Sequence, residues 1–244
     1  MEISEYKNIY ENEETHGWYQ GMKYVSLALL DRFLERKQKL KILDAGCGTG
    51  MMIKALEKYG KVEGIDISPE AIKLCKKRGL KNVQIASVMK IPFKSESFDL
   101  VTSFDVIYHQ QIVPNQAIRE FSRVLKKGGV LLLRVPALEI LRGSHDKVVH
   151  TASRFTLEEV NQLLENNHLK LEFSSYVNFF IFPLTLLTRM LSRRNFQGHT
   201  SDIGHLPTIV NLAVENLLKL ETLFLRNAVT FPIGVSIIAV ASKK

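Results

Sequence analysis

The segment LDAGCGTG, from Leu43 to Gly50, decides the fold of this chain because it joins an apolar stretch to a helical pattern. Lys41–Ala45 (KILDA) predicts a first strand, and helical spacing continues from the turn to about Tyr59. Glycines in such a turn let the backbone reverse sharply and let a ligand approach without a Cβ in the way. The spacing disfavours two phosphate-binding turns: a G-x-G-x-x-G fingerprint needs glycine where Met51 stands, and a Walker loop needs a Gly-Lys-Ser/Thr run.

The next predicted strand, Val62–Ile67, has an acidic residue, Asp66, at its carboxyl end. Asp66 follows Gly46 by twenty residues, and a carboxylate at that place can accept hydrogen bonds from both hydroxyls of a ribose. Ser68 and Pro69 then predict a helix start, with the serine as N-cap and the proline at the first helical position. A glycine turn with an acidic strand end, in strand–turn–helix–strand order, therefore predicts a ligand that contains a ribose.

The chain alternates apolar runs with helical periodicity up to Pro136, which is typical of βαβ units and a parallel sheet. Leu138–Thr151 predicts a polar loop. Ile181–Pro232 is too long for a hairpin loop and predicts two helices, of which the second has apolar residues so dense that we expect it to be well buried. The other predicted strands are Val83–Ser87, Phe98–Val106, Val130–Val135, Leu169–Phe180 and Gly234–Ala241, and the other predicted helices cover 22–36, 115–125, 156–166, 184–194 and 208–227.

Composition favours a folded soluble domain. The 244 residues are 45% hydrophobic and 24% charged, and two cysteines are too few for a disulfide scaffold, so we expect a reduced, cytoplasmic setting. We find neither a basic-then-apolar leader nor a long uncharged apolar run in the sequence. We therefore expect no signal peptide and no membrane-spanning helix. The net charge of +8 is compatible with an anionic partner and equally with solvated lysine-rich helix faces.

Four ordered motifs resemble those of the class I S-adenosylmethionine-dependent methyltransferases. They are LDAGCGTG at Leu43–Gly50, GIDIS at Gly64–Ser68, IPFKSESFDLVTSFDVIYH at Ile91–His109 and REFSRVLKKGGVLLLRVP at Arg119–Pro136. The resemblance implies an α/β, Rossmann-like fold with a seven-stranded, mostly parallel sheet whose last strand is antiparallel. It also implies helices on both faces of that sheet and a helical insertion between the last two strands.

The same resemblance implies where S-adenosyl-L-methionine would lie. Ser87 stands where many relatives place an Asp, and a neutral serine hydroxyl is a weaker acceptor for the adenine amino group. Position by position, the expected cofactor residues are Asp44, Gly46, Cys47, Gly48 and Gly50 for the methionine portion, Asp66 for the ribose, Ile67, Ser87, Val88 and Met89 for the adenine, and Phe104 along the cofactor.

Methyl transfer is an in-line displacement, to which a protein contributes alignment and exclusion of water, and sometimes a general base. The loop HDKVVHTASRF places His145 and His150 beside Asp146, and we predict that these two histidines are catalytic. There are two alternatives. His145, Asp146 and His150 could be exposed loop residues without a role, or they could be three metal ligands; we predict no metal. Trp18, Tyr19 and His109 are predicted on the acceptor side, the first two either as part of a lid over the cofactor or as an anchor of the N-terminal helix to the core.

The predicted organisation is an N-terminal helical segment (1–39), a cofactor-binding core (40–180), a helical insertion over the acceptor (181–232) and a final core strand (233–244). The apolar run 176–194, followed by arginines, predicts a pocket lid, a dimer seam or peripheral membrane contact, so the protein is expected to be a monomer or a homodimer. The expected acceptor is a small, partly apolar molecule, with methylation on oxygen favoured over methylation on nitrogen or carbon. RNA methylation and non-catalytic cofactor binding are alternatives, and RNA is disfavoured because no Asn/Asp-Pro-Pro-aromatic motif follows the fourth strand.

Overall fold

A computed structural model describes residues 1–34, 39–192 and 207–244. Nine α-helices and seven strands are found in these ranges, and one turn of 3₁₀ helix spans Glu139–Leu141. The strands are β1 (Leu40–Ala45), β2 (Gly60–Asp66), β3 (Val83–Ile85), β4 (Phe98–Phe104), β5 (Leu125–Pro136), β6 (Leu169–Val177) and β7 (Ser236–Lys243). The helices are α1 (Ile3–Asn12), α2 (Gly17–Phe33), α3 (Met51–Leu56), α4 (Pro69–Lys77), α5 (Pro114–Val124), α6 (Ser144–Val148), α7 (Leu157–Glu165), α8 (Phe182–Ser192) and α9 (Thr208–Arg226).

All seven strands form one sheet in the order β3-β2-β1-β4-β5-β7-β6. The first five strands pair in parallel, whereas β7 lies antiparallel to both β5 and β6, so the predicted sheet is confirmed. The strand order reverses between β1 and β4. In such a sheet the ligand crevice lies beyond the carboxyl ends of the strands at the reversal, and the glycine turn follows β1 there.

Helices cover both faces of the sheet. Because parallel crossovers are right-handed, the β1-to-β2 connection and the β4-to-β5 connection place α3 and α5 on opposite faces. Helices α2 and α9 pack together on the α3 side, and α7 packs on α5. The core between these layers is apolar and completely buried, and its largest side chains include Phe121, Met22, Leu29, Ile42 and Leu100.

Two predictions about the later elements are wrong. The segment Leu138–Thr151 is not only loop, because it contains the 3₁₀ turn and α6. Helix α9 is not well buried: its buried residues are Leu218, Glu221, Thr222 and Leu225, while Ile209 is 83% exposed. Leucine density alone could not distinguish burial from exposure, since α9 rests on α2 along one side and the remaining sides face outward.

The described residues between β6 and β7 are anchored to the sheet at both ends of this part of the chain. The Glu221 carboxylate of α9 accepts hydrogen bonds from the backbone N–H groups of Asn178 (2.6 Å) and Phe179 (2.9 Å), just beyond β6. Phe180, before α8, contacts Phe224 of α9 and Phe231, so an aromatic cluster connects the two helices to the sheet end. No helix among the described residues has both the length and the hydropathy needed to cross a bilayer.

Candidate functional site

The glycine turn after β1 has a backbone that only glycine adopts readily. Gly46, Gly48 and Gly50 have φ angles of +83°, +53° and +87°. A Cβ on Gly46 would collide with Val106, which follows β4, so this glycine lets two neighbouring strand ends approach closely. A Cβ on Gly48 would meet no atom within 4 Å, so its backbone faces open space that a ligand can enter.

Asp66 connects the end of β2 to this turn. One carboxylate oxygen accepts a hydrogen bond from the Gly48 N–H (2.9 Å) and the other accepts one from the Ser68 N–H (2.9 Å). Burial raises the pKa of Asp66, although these N–H groups favour the ionised form. Each oxygen has further acceptor capacity beyond its one N–H partner, which is what two ribose hydroxyls require.

Asp44, at the end of β1, is 2% exposed and accepts a hydrogen bond from the Thr102 hydroxyl (2.7 Å). Its pKa is raised to about 7, chiefly by burial and also by the neighbouring Asp66 charge, against the opposing effects of the Thr102 hydrogen bond and the Arg134 charge. A cationic ligand group beside Asp44 would restore the ionised form by supplying a nearby positive charge. The ammonium of the methionine portion of S-adenosylmethionine fits this requirement.

The residues predicted around the adenine lie beyond β2 and β3. Ile67 is 56% exposed, so its apolar side chain is available to a planar ring, and Val88 is buried beneath the following turn. The Ser87 hydroxyl oxygen accepts a hydrogen bond from the Met89 N–H (3.2 Å), and the Met89 sulfur accepts one from the Val113 N–H (3.2 Å). Ser87 therefore stabilises its own turn and has one lone pair and its proton left for a ligand.

These residues fit S-adenosylmethionine by charge, hydrogen bonding and shape. The approachable Gly48 backbone and the buried Asp44 suit its amino-acid portion, and Asp66 suits its ribose. Cys47 is buried in the same turn beside Cys75, and burial with this neighbour raises the pKa of its thiol. Cys47 therefore contributes an uncharged, packed side chain to the turn rather than a thiolate.

On the other side of the crevice, an ion pair connects the ends of β4 and β5. Asp105 has φ +56° and accepts hydrogen bonds from the Arg134 Nε (2.9 Å) and Nη2 (2.5 Å). The Arg134 guanidinium lies over the rings of Trp18 (5.2 Å) and Phe104 (5.1 Å). Trp18 and Phe104 therefore contact the same cation. The sequence analysis did not identify Asp105 or Arg134, because the two paired residues are 29 positions apart.

The start of α2 carries Tyr19 and His16 to the same region. Burial raises the pKa of Tyr19 well above its usual value, and the charges of Glu13 and Asp105 add to that effect. The His16 Nδ1 accepts a hydrogen bond from the Trp18 N–H (3.3 Å), which leaves the proton on Nε2. This Nε2 is buried and has no protein hydrogen-bond partner, an orphaned donor that the sequence did not reveal.

Helix α1 is fastened to the cofactor edge by Glu13. Its carboxylate contacts the Thr49 hydroxyl in the glycine turn and forms an ion pair with Arg78 beyond α4. Burial raises the pKa of Glu13 to about 7, while Thr49 and Arg78 lower it. Gln20 of α2 donates a hydrogen bond to the Glu13 carbonyl (2.7 Å), so the N-terminal helices and the turn form one connected unit.

His109 is held in a defined tautomer. Its Nδ1 lies 2.6 Å from the Val149 carbonyl oxygen, which can only accept, so Nδ1 carries the proton and Nε2 has a free lone pair. Burial lowers the pKa of His109 to about 4, so the ring is neutral at ordinary pH. A neutral imidazole with an unprotonated Nε2 can accept a proton, and its lowered pKa makes it a weaker base than an ordinary histidine.

The predicted catalytic histidines lie on the same edge. The backbone N–H of Gln110 donates to the His150 carbonyl (3.0 Å), so the segments after β4 and β5 are paired there. The His150 side chain is exposed at φ +55°, and His145 lies in α6. Asp146, which we expected to orient an imidazole, instead holds Arg154 through Nε (3.0 Å) and Nη2 (3.1 Å).

Comparisons with known proteins agree with this geometry. Residues 43–133 match a family model described as a methyltransferase domain. The chain is 36% identical over 116 residues to an uncharacterized protein of Methanocaldococcus jannaschii, covering 44% of this chain and 44% of that protein. It is 30% identical over 142 residues to the probable tRNA methyltransferase 9B of Homo sapiens, covering 57% of this chain and 30% of that protein. It therefore spans less than half the length of either relative.

A similar fold is found in a solved structure described as an S-adenosylmethionine-dependent methyltransferase, possible histamine N-methyltransferase, from Thermotoga maritima. The TM-score is 0.62 at 18% sequence identity, over 99% of this chain and 96% of the other. At this identity the likeness concerns the fold.

Proposed function

We propose that the protein transfers a methyl group from S-adenosylmethionine to a hydroxyl of a small, partly apolar acceptor, since residues 43–133 match a family model described as a methyltransferase domain. The observation that carries the proposal is the neutral His109, with a bare Nε2, beside the cofactor edge of the sheet. A neutral base suits a hydroxyl acceptor, which has to lose its proton as the new bond forms.

The bound cofactor supplies an electrophilic methyl group on a positively charged sulfur. Asp44 and the Gly46–Gly50 turn hold its amino-acid portion, and Asp66 holds its ribose. Arg134 and Asp105 fix the end of β4, and Tyr19 with the aromatic Trp18 excludes water from the acceptor side. His109 accepts the acceptor's hydroxyl proton at Nε2, while the Val149 carbonyl keeps the Nδ1 proton in place.

His145 and His150 are the alternative bases. They lie in or next to the segment whose backbone pairs with residues 108–110, which is why we keep them as candidates. We propose that the insertion 181–232, of which residues 193–206 lie outside the described part of the chain, is the cover that sets the size and apolarity of the acceptor. Phe231 of the insertion contacts Phe179 and Phe180, which directly precede it, and this aromatic cluster supports an apolar acceptor.

RNA methylation is the second candidate. The relatives named as tRNA methyltransferases and the net charge of +8 favour it, since cations attract a phosphate backbone. The two acceptors make different demands on the site: a nucleotide needs a cationic track, whereas a small apolar molecule needs an enclosed pocket.

Methyl-labelled cofactor incubated with separate extracts of polar metabolites, lipids and tRNA tests these alternatives directly. We expect label in the small-molecule or lipid fraction as an alkali-stable methyl ether, the product of methylating a hydroxyl. Label in tRNA alone would overturn the small-molecule proposal, and no label in any fraction despite cofactor binding would favour a non-catalytic protein.

The variant His109→Gln tests the base, with His145→Gln and His150→Gln as matched comparisons. If His109 is the base, its replacement lowers turnover by about 10²–10⁴-fold at unchanged cofactor affinity, while the other two variants keep most activity. The reverse pattern would assign the base to the loop after β5.

A further inference from the structure

Exposed apolar side chains concentrate on one part of this protein. Isolated surface leucines are normal, but a contiguous apolar area larger than a few hundred Å² indicates an interaction site. Among the described residues, the large hydrophobic side chains exposed on or next to α8 and α9 are Leu184, Leu187, Met190, Leu191, Ile209, Val210, Leu212, Leu220, Leu223, Phe224 and Val229. We call these residues the α8–α9 surface.

Among the described residues of α8 and α9, exposed cations outnumber exposed carboxylates. Helix α8 has Arg189 and no acidic residue, and α9 has exposed Lys219 and Arg226. Of the two carboxylates in α9, Glu221 is completely buried and Glu215 is paired with Lys219 (2.7 Å). The described side chains of the two helices therefore present apolar and cationic groups without an unpaired exposed carboxylate.

The α8–α9 surface adjoins the acceptor side of the site. Helix α8 packs against the 3₁₀ turn after β5, and the Arg189 side chain lies so close to Gly143 that a Cβ there would collide with it. The same stretch of chain continues through α6 to Val149, whose carbonyl orients His109. A partner bound to α8 would thus lie next to the route by which an acceptor enters.

We propose that the α8–α9 surface docks on the surface of an anionic phospholipid membrane. The exposed leucines enter the boundary between headgroups and acyl chains, and the cations contact lipid phosphates. A two-fold dimer through the same surface is less favourable, because Lys219 and Arg226 of each copy would face cations and no free carboxylate. The docking is independent of the proposed reaction. Combined with it, docking identifies the acceptor class as an amphiphile presented at a membrane.

Flotation with vesicles tests this proposal on the full-length protein without cofactor. We compare vesicles of phosphatidylcholine alone with vesicles of equal parts phosphatidylcholine and phosphatidylglycerol, each at low and high salt. The wild-type protein should float with the anionic vesicles and do so less at high salt. A protein that does not float with either vesicle overturns the proposal, whatever its enzymatic activity.

Variants locate the contact. Leu187→Asn with Leu191→Asn on α8, and Leu212→Asn with Leu223→Asn on α9, should each weaken vesicle binding about tenfold or more, since each leucine loses its burial in lipid. Ile85→Asn in β3 is the matched control, because Ile85 and Leu223 are both 56% exposed and Ile85 lies outside the surface. Lys219→Gln with Arg226→Gln should remove the preference for anionic vesicles.

Two further outcomes oppose the proposal. Leucine variants that bind vesicles as the wild type does would exclude the α8–α9 surface as the contact. A wild-type dimer in sedimentation that the same variants dissociate would assign the surface to a second copy of the chain. Thermal unfolding and cofactor titration of each variant distinguish a folding defect from a loss of vesicle binding. The flotation results do not depend on whether methyl transfer is detected.

Discussion

Replacing Asp66 by Asn is the sharpest test of the cofactor site, because the change preserves shape and removes charge. Each Asp66 oxygen accepts one backbone N–H at 2.9 Å, from Gly48 on one side and Ser68 on the other. The Asn amide has one accepting oxygen, so one of these two N–H groups loses its partner and meets another donor. The turn and the ribose acceptor are perturbed together.

The expected magnitude follows from these contacts. A hydrogen bond to a charged acceptor contributes about 1.5–3 kcal/mol, so cofactor affinity should fall roughly 10- to 150-fold. The orphaned N–H should cost up to about 1–3 kcal/mol of folding stability. Because burial already raises the pKa of Asp66, removal of its charge relieves a desolvation cost, and we expect the lower end of that stability range.

Isothermal titration with S-adenosylmethionine and with its demethylated product measures the affinity, and thermal unfolding measures the stability. Asp99→Asn is the matched control. Asp99 also accepts a backbone N–H, from Lys41 (2.8 Å), and contacts the Lys126 ammonium (2.6 Å), but it lies at the start of β4, on the opposite edge of the sheet. A folded Asp66→Asn variant with wild-type affinity for both ligands would refute the ribose assignment.

Three other perturbations test separate parts of the structure. Gly48→Ala and Gly79→Ala both place a Cβ at positive φ in open space, so each should cost about 1–2 kcal/mol of stability, but only Gly48→Ala should weaken cofactor binding in titrations; equal affinities would remove the glycine turn from the site. His109 has its pKa lowered from 6.5 to about 4, so wild-type turnover should be flat above about pH 5 and fall only in more acid solution. If turnover instead changes with pH near neutrality, and this dependence disappears in His145→Gln or His150→Gln, the base lies in the loop after β5. Burial raises the pKa of Glu221 from 4.5 to about 7, so the stability that this carboxyl contributes is fully present below about pH 4.5 and is lost as the pH rises through about 7. Glu221→Gln should therefore destabilise the protein less at about pH 8 than at about pH 5 in urea unfolding, and an equal cost at both would contradict the buried-acid assignment.

Local patterns in the sequence determined the elements that frame the cofactor site. Ser68 is the N-cap of α4, with its hydroxyl accepting from the Ala71 N–H (3.3 Å), as the Ser-Pro pair predicted. Thr156 and Glu159 form a capping box at the start of α7, where the sequence predicted a helix from 156. Such signals are readable because the interacting atoms lie within a few residues of one another, and alternating periodicity distinguishes strands from helices in the same way. The glycine turn belongs to this class, since its φ angles are a property of the residue type.

Tertiary structure alone decided which polar groups meet across the crevice and which apolar faces stay exposed. Arg134 forms an ion pair with Asp105 at the end of the neighbouring strand, and Asp146 forms one with Arg154 rather than contacting a histidine. The Val149 carbonyl selects the tautomer of His109 from 40 residues away. These pairings depend on which strand ends become neighbours, and burial depends on what packs against a helix, as the exposed leucines of α9 illustrate. Neither is encoded in the local sequence, because desolvation and hydrogen-bond choice arise only when distant segments share one volume.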